Sequence, residues 1–491
     1  MHKVIIDCYT DEPSGLGVPP YLGTYPRYLY GILSKENKVY YLTIDDIRLW
    51  KKYNSIAPDK SKEIKTNIKI YNLTKNYSNV NEILNKANEL IIISGINVPG
   101  KYLCALPGTI NEIINYIKEI KCKKILTGTA ANIGNRLEGG KKSEFFDKDF
   151  FDIIDCNYLD INNYKKINNK ENANLIEQIP WEIIAEIETG RGCDIGKCSF
   201  CTEPLKSKTE FRETNDIINE IKYLKNKGIK HFRLGKQTCF YSFRNKNEIE
   251  LLLKEIHKLK PETLHIDNVN PNKIITKEGI EITKLITKYC TEGNVVALGI
   301  ESFDKEVIKK NKLNTMPIIA HKAIEIINKY GKEKGSNGMP KLLPGINLIF
   351  GLIGENKKTH EENINNLKKI INEDLLLRRI NIRQVIPFPG TKLYEEAGIK
   401  FIKKNKKYYW KWRNDIRQNI DYVLLKKLVP EGTILKNVKM EIYDGNTTFG
   451  RQIGTYPLVI GVKERLQLNK KYNIKVKGHM LRSIYGEIIK K

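Results

Sequence analysis

Three cysteines, Cys193, Cys198 and Cys201, are spaced C-x4-C-x2-C in a short loop that directly follows an apolar, strand-like run over 183–187. A loop that gathers three thiolates around one soft-metal centre must bend tightly, and Gly192 and Gly196 permit that. No histidine lies nearby to complete a zinc tetrahedron, and structural zinc normally takes four ligands. Three cysteines can instead hold an iron–sulfur cube whose fourth iron stays open to a substrate or cofactor. A small zinc knuckle is the other reading that the loop alone allows.

The rest of the chain bounds what can surround this loop. Its 491 residues leave room for two or three domains with proper cores. No run of eighteen apolar residues occurs, and Met1-His-Lys-Val leads straight into a strand-like segment. No membrane span or signal peptide is therefore expected, and the expected location is cytoplasmic. Nine cysteines, odd in number and dispersed outside the one cluster, argue for a reducing compartment. A net charge of +27 points to an acidic partner, nucleic acid first. Lys, Asn and Ile are abundant along the whole chain, so charge alone does not decide the partner.

The expected fold class is α/β, in three parts. Residues 1–179 show apolar runs at 4–6, 39–44, 90–94, 124–127 and 153–154 with helical-period segments between them, which predicts a doubly wound parallel sheet. Residues 180–390 repeat a strand and then an amphipathic helix, with strands expected at 183–187, 231–234, 264–267, 295–300, 346–350 and 380–386. Thr214 is placed to cap one of these helices and Gly228 to end it. Six such units predict an open (β/α)6 partial barrel with its chemistry at the C-terminal strand ends. Residues 391–429 form a basic, aromatic connecting segment, and 430–491 read as short strands of a small OB-like β-barrel.

On these residues the chain resembles the radical SAM superfamily. Phe200 stands where that family carries an aromatic before its last cysteine, although the usual spacing is C-x3-C-x2-C. Gly235, Lys236 and Gln237 end strand two, where the family binds the SAM amino group, but without the usual acidic residue. Glu301 and Ser302 end strand four, at the family's ribose and carboxylate contact, and Gly351 and Gly354 end strand five, at its adenine contact. Pro387-Phe-Pro389-Gly390-Thr391 is similar to methylthiotransferase-like members. The resemblance implies a [4Fe–4S] cluster on Cys193, Cys198 and Cys201, S-adenosylmethionine on its open iron, and a low-potential electron donor. It further implies reductive cleavage of S-adenosylmethionine to a 5′-deoxyadenosyl radical that abstracts hydrogen from substrate.

The flanking regions carry their own resemblances. Asp7-Cys8-Tyr-Thr-Asp-Glu-Pro-Ser-Gly15-Leu-Gly17 and Leu126-Thr-Gly128-Thr129-Ala130 are similar to cobalamin-binding-like domains. The chain has no histidine between His2 and His231, so a histidine-ligated cobalamin is excluded apart from His2, while one held without histidine stays open. A sheet kept for packing or substrate capture is the competing reading. Cys8, Cys104, Cys122 and Cys156 do not match the auxiliary-cluster spacing of tRNA methylthiotransferases and read as small core residues. Phe449-Gly450-Arg451-Gln452-Ile453-Gly454 resembles the RNA-binding TRAM domain, and the chain as a whole looks like an archaeal-type family of radical SAM proteins.

In strand six, period-two alternation puts Arg379, Asn381 and Arg383 on the inner face. Arg383 is the candidate catalytic contact to a substrate phosphate or carboxylate, and Arg379 is expected to bridge the barrel floor. His231, Arg233, His265 and Asp267 are further lumen candidates. The run Lys403 to Arg413, with Tyr408, Tyr409, Trp410 and Trp412, either stacks bases or packs as an amphipathic helix. The leading expectation is a radical SAM enzyme that modifies RNA, with tRNA first. The alternatives are a radical SAM methyltransferase acting on a small molecule or protein, with or without cobalamin, and a non-enzymatic iron–sulfur RNA-binding protein.

Overall fold

The computed structural model describes residues 1–9, 21–57, 59, 72–95, 106–135, 142–143 and 145–489; the loop stretch 10–20 and Cys104 lie outside them. The N-terminal strands are β1 (His2–Asp7), β2 (Tyr21–Leu22), β3 (Lys38–Thr43), β4 (Glu89–Ile93), β5 (Lys123–Thr127) and β6 (Ile153–Ile154). All but β2 form one parallel sheet in the order β3-β1-β4-β5-β6. Leu90, Ile91, Ile92 and Ile93 are fully buried in sequence, as expected of a strand covered by helices on both faces. The order reverses between β1 and β4, so the ligand crevice of this doubly wound sheet opens beyond Asp7.

The central region contains β7 (Ile184–Glu188), the short β8 (Gly190–Arg191) and β9 (Glu210–Phe211), then β10 (His231–Gly235), β11 (Thr263–Ile266), β12 (Asn268–Val269), β13 (Asn294–Glu301), β14 (Leu342–Phe350) and β15 (Arg379–Gln384). β11 and β12 are one strand interrupted at Asp267, so six parallel positions run from β7 to β15, as the alternation predicts. One capping expectation is corrected. Thr214 is the first residue of helix Thr214–Asn226, not its cap, because its hydroxyl is turned to the Glu248 carboxylate.

Sequence pattern gave no hint of the neighbour on β7's other side. β2 pairs with it in parallel, Tyr21 opposite Ile184 and Leu22 opposite Ala185, and so lengthens the open edge of the partial barrel. Helix Thr24–Leu33, which follows, buries Tyr25, Tyr28 and Leu29 in the same apolar cluster as Ile187, Leu234 and Ile346. The N-terminal sheet and the partial barrel thus share one core.

Beyond the partial barrel, helix Lys400–Ile416 runs through a π-helical turn, Arg417–Asp421, into helix Tyr422–Leu428. Its inner face resolves the two readings of the aromatic run. Tyr409 and Trp412 are buried, Trp412 stacks on His360 at 5.2 Å, and Tyr408 stacks on Trp412 at 5.5 Å. Only Trp410, 67% exposed, faces outward among the lysines.

The last strands, β16 (Ile434–Asp444), β17 (Thr447–Arg451), β18 (Val459–Val462), β19 (Lys471–His479) and β20 (Ser483–Ile488), close a barrel in the order β16-β17-β18-β20-β19. Every pairing is antiparallel except β18 with β20. That is the strand order of an OB-type barrel. The loop between β17 and β18 docks onto the N-terminal strand ends of the partial barrel. Thr455 N–H donates to His265 Nδ1 at 2.9 Å, Thr263 Oγ1 donates to Ile453 O at 3.0 Å, and the Tyr456 hydroxyl donates to Asp267 Oδ1 at 3.3 Å. Gly454 is needed there, since a Cβ would lie 2.8 Å from His265 Cε1.

The lumen expectations change accordingly. His265 faces the docked loop, and His231 bridges Glu182 and Thr263, each at 2.9 Å. Arg233 and Asp267 do line the interior, but as its floor. Arg233 Nη2 pairs with Glu186 at 2.7 Å, and its guanidinium lies 4.4 Å from the Tyr21 ring centroid.

Because His265 Nδ1 accepts from a backbone N–H, the docked ring must be neutral, and burial pulls its pKa down to about 4. The folded value lies below the unfolded value of about 6.5, so this contribution is complete above pH 6.5 and is lost as pH falls towards 4. Stability measured by denaturant titration should therefore fall over that window in the wild type. In His265→Asn, which cannot titrate, the His265 share of the fall should vanish; an identical pH profile in both proteins would refute the assignment.

Candidate functional site

β7 ends at Glu188 and the chain turns at once into the cysteine loop, so all three thiols sit over the C-terminal ends of the barrel strands. Gly192, at φ +79°, makes this turn, and a Cβ there would lie 2.5 Å from Lys208 O. Cys193, Cys198 and Cys201 are half-buried and near enough to repel one another as thiolates. Burial, then the neighbouring Cys201, Glu301 and Cys193, push the Cys198 thiol up to about 12, while burial raises Cys201 to about 11. Three thiolates gathered in this way need compensating positive charge. Two backbone amides already point at sulfur, Gly196 N–H at Cys193 Sγ and Glu203 N–H at Cys201 Sγ, both at 3.4 Å.

Among the described residues, Glu182, His231 and Glu262 bring ligand atoms within 4.8 Å of one another. Those carboxylates are engaged by Lys439 and Lys471 at 2.9–3.3 Å and form a seam with the terminal barrel.

A residue that sequence reasoning missed holds the loop in place. Asn311, fully buried, accepts from Ser199 Oγ at 2.6 Å and Ile353 N at 3.1 Å through Oδ1, and donates to Val307 O and Ile353 O at 2.8 Å through Nδ2. Its backbone carbonyl also accepts from Ser199 N at 3.0 Å. Asn311 thereby ties the cysteine loop to the segments after strands four and five. Phe200 and Cys198 lie against the apolar patch of Val307, Leu352, Leu393 and Ile402 beneath it.

The other predicted site residues surround this centre. Gly235 is buried at the end of β10, Lys236 adopts φ +72°, and Gln237 is buried with its Nε2 unpartnered while its Oε1 accepts from Thr189. Glu301, at φ +63°, is enclosed, with Oε2 unpartnered; burial raises its carboxyl to about 8, with Arg383 opposing the shift. Arg383 is half-buried on the inner face of β15; with the Asn381 amide turned so that its oxygen faces Arg383, Nε and Nη2 donate to that oxygen at 2.8 and 3.1 Å. Ser302 is otherwise engaged, since its Oγ accepts from Asp304 N at 3.2 Å. Gly351 and Gly354, both at positive φ, form a turn held by Glu355, which accepts from Gly351 N at 2.8 Å.

The N-terminal domain covers the mouth of the barrel. Ile133 packs on Phe388 of the segment after β15. A narrow cleft of about 50 Å³ runs between the two, lined by Tyr25, Thr129 and Asn132 opposite Arg191, Lys206 and Lys236. Among the described residues no histidine lines it. His2 begins β1, at the end of the sheet opposite the crevice, so it does not fit a cobalamin ligand there. Cys8 is buried in the N-terminal core, and Cys122 and Cys156 are half-buried.

Comparison with known proteins agrees with this geometry. The profile of the Radical SAM superfamily matches residues 187–367, from the end of β7 through the segment after β14. An uncharacterized protein of Methanocaldococcus jannaschii is 40% identical over 99% of this chain and 93% of its own length. The chain belongs to the radical SAM superfamily. This radical SAM protein is also similar to a tRNA-2-methylthio-N(6)-dimethylallyladenosine synthase of Sulfurihydrogenibium sp., 22% identical over 65% of this chain and 70% of that protein. A ribosomal protein uS12 methylthiotransferase RimO of Clostridium novyi is 28% identical, with 53% of each chain covered. The superfamily uses a [4Fe–4S] cluster and S-adenosylmethionine. Among the described residues no helix is long and apolar enough to cross a membrane.

Asn311→Ala would strand the Ser199 and Ile353 groups that the amide satisfies, a cost of about 1–3 kcal/mol in a buried site. The variant should fold by circular dichroism but retain less iron and sulfide per chain after anaerobic reconstitution. Iron retention equal to wild type would show that the loop needs no such anchor.

Proposed function

We propose that this radical SAM enzyme modifies RNA, with tRNA its first candidate substrate, and that Cys193, Cys198 and Cys201 hold its cluster. The observation that carries the cluster assignment is the placement of three mutually close thiols on one loop after the first strand of a six-strand partial barrel. Bound there, a reduced [4Fe–4S] cluster supplies the one-electron chemistry that cleaves S-adenosylmethionine.

The chain's own residues provide position and dryness. Gly196 N–H and Glu203 N–H share the negative charge of the thiolates. The unpartnered Gln237 Nε2 and the raised, largely protonated Glu301 carboxyl offer hydrogen bonds to the polar groups of S-adenosylmethionine above Gly235 and Lys236. Gly351 and Gly354 keep the backbone after strand five close for its adenine, with Ser302 shaping the adjoining turn. Arg383 faces the interior one step further in and is the group for a substrate phosphate or carboxylate. Tyr21, Arg233 and Tyr456 pack together with Asp267 at the floor, opposite the cysteine loop.

RNA is supported by the OB-type barrel joined to the same core and by the tRNA-directed name of one relative. A ribosomal-protein substrate is the second reading, favoured by the uS12 methylthiotransferase among the relatives.

Nucleoside mass spectrometry of bulk tRNA and rRNA from a strain lacking the protein, against its parent and a Cys201→Ala complement, separates the two readings. A nucleoside lost in the deletion and still absent in the complement supports RNA, and its mass names the group added. An unchanged profile points to protein or small-molecule substrate. In vitro, Cys193→Ala, Cys198→Ala and Cys201→Ala should each abolish formation of 5′-deoxyadenosine; retained cleavage in all three would overturn the cluster assignment.

A further inference from the structure

Where β15, the π-helical turn and the β19–β20 hairpin meet, arginines gather with little to neutralise them. Arg379 begins β15 with Arg378 just before it, Arg417 opens the π-helical turn, and Arg482 sits in the hairpin turn between His479 and Ser483. Arg482 lies within electrostatic range of Arg417, Arg379 and Arg413, and Arg378 within range of Arg379 and Arg482. Among the described residues the carboxylate acting on Arg378 and Arg482 is Asp421, which pairs with Arg417. Among the described residues no ion pair reaches Arg378, Arg379 or Arg482.

The partners these arginines do have fix their places without neutralising them. Arg378 Nη2 donates to Pro457 O at 2.8 Å, Arg417 Nη1 donates to Ile380 O at 2.7 Å, and the Arg379 guanidinium lies 4.1 Å from the Tyr456 ring centroid. Nε of Arg378 and Nε of Arg417, the latter residue only 6% exposed, have no partner at all. Burial, then repulsion from Arg379, hold the Arg378 guanidinium down at about 9. Guanidiniums held together without carboxylates are costly unless an anion joins them, and their planar forks match a phosphate in two-point contact.

The cluster is not isolated from the surface. Arg482 is exposed, and Arg413, in its range, lies 5.3 Å from the ring of Trp410. Positions 410, 413 and 417 follow one helical stripe. Exposed Lys403, Lys406, Lys407 and Lys411 flank that outward-facing indole. A phosphate site beside an exposed aromatic and a lysine-rich face is the combination that binds a polynucleotide rather than a free anion.

We propose that Arg378, Arg379, Arg417 and Arg482 form a phosphate-binding site for the backbone of an RNA substrate, at the seam between partial barrel and terminal barrel, with Trp410 stacking a nearby base. The site rests on the RNA reading above but stands at the floor end of the barrel, away from the cysteine loop. It gives the terminal barrel a specific task, since only its hairpin completes the cluster.

The test is binding of unfractionated tRNA to the full-length reconstituted holoenzyme over a range of salt concentrations. Arg482→Glu changes an exposed turn residue, and circular dichroism with thermal melting checks its fold. It should bind at least tenfold more weakly, with a salt slope reduced by about one phosphate contact. Arg482→Lys should recover most of the affinity. Trp410→Ala should weaken binding severalfold with an unchanged salt slope. Wild-type affinity and slope in a folded Arg482→Glu would overturn the site while leaving the RNA reading intact. No tRNA binding by the wild type, together with an unchanged nucleoside profile, would overturn both. Inorganic phosphate at constant ionic strength covers the free-anion source: if it stabilises wild type but not Arg482→Glu, and tRNA affinity ignores the substitution, the ligand is a small anion and the RNA assignment falls.

Discussion

One buried carboxylate holds the catalytic half of this protein to its N-terminal half. Glu220, 1% exposed, pairs with Arg27 from the N-terminal helix at 2.8 Å and with Arg212 of the core. Each arginine also grips a carbonyl of β7, Arg27 at Glu186 O and Arg212 at Glu188 O. β7 carries the cysteine loop at its end, so the position of the loop depends on this triad. Arg212 is also paired with Asp216, whereas Arg27 is met by Glu220, and removing the partner of such a buried pair costs about 3–5 kcal/mol. The arrangement explains why the two domains share one core instead of hinging about a linker.

The two ends of the partial barrel are treated differently. At the mouth, Gln237 Nε2 and Glu301 Oε2 are left without partners beside the cysteine loop, which is unusual for buried atoms unless a ligand completes them. Arg233 Nε and Arg378 Nε at the floor are likewise unpartnered, but each belongs to a guanidinium held through its Nη2. At the floor the loop from the terminal barrel brings Tyr456 to Asp267 and Arg379, and Arg233 is paired with Glu186. The floor is thus closed by a second domain while the mouth keeps its capacity for cofactor and substrate. The same docking assembles the arginine cluster, so closing the barrel and building an anion site follow from a single contact surface.

Features legible in the sequence are those whose physics is local. The cysteine spacing, the glycines that let the loop turn, the six strand runs and the inward alternation of Arg379, Asn381 and Arg383 all depend on neighbours a few residues away. Each appears in the structure near its expected place. The aromatic run over 408–412 was ambiguous because helical spacing fits both packing and stacking. It divides residue by residue, with Trp412 inward and Trp410 outward.

The remainder needed the folded chain. β2 is two residues long and has no periodicity to detect, and only its partner on β7 makes it a strand. Asn311 is one asparagine among many until Ser199, more than a hundred residues away, meets it. His265 looked like a lumen residue because strand alternation cannot foresee a domain docking from 190 residues downstream. By itself the sequence determined the chemistry available, three thiolates on a tight loop after a strand, since thiolate spacing and backbone freedom are properties of a short segment. Tertiary structure alone decided which polar groups are left unpartnered and which charges crowd together, because desolvation and electrostatic repulsion depend on distances that only the packed fold sets.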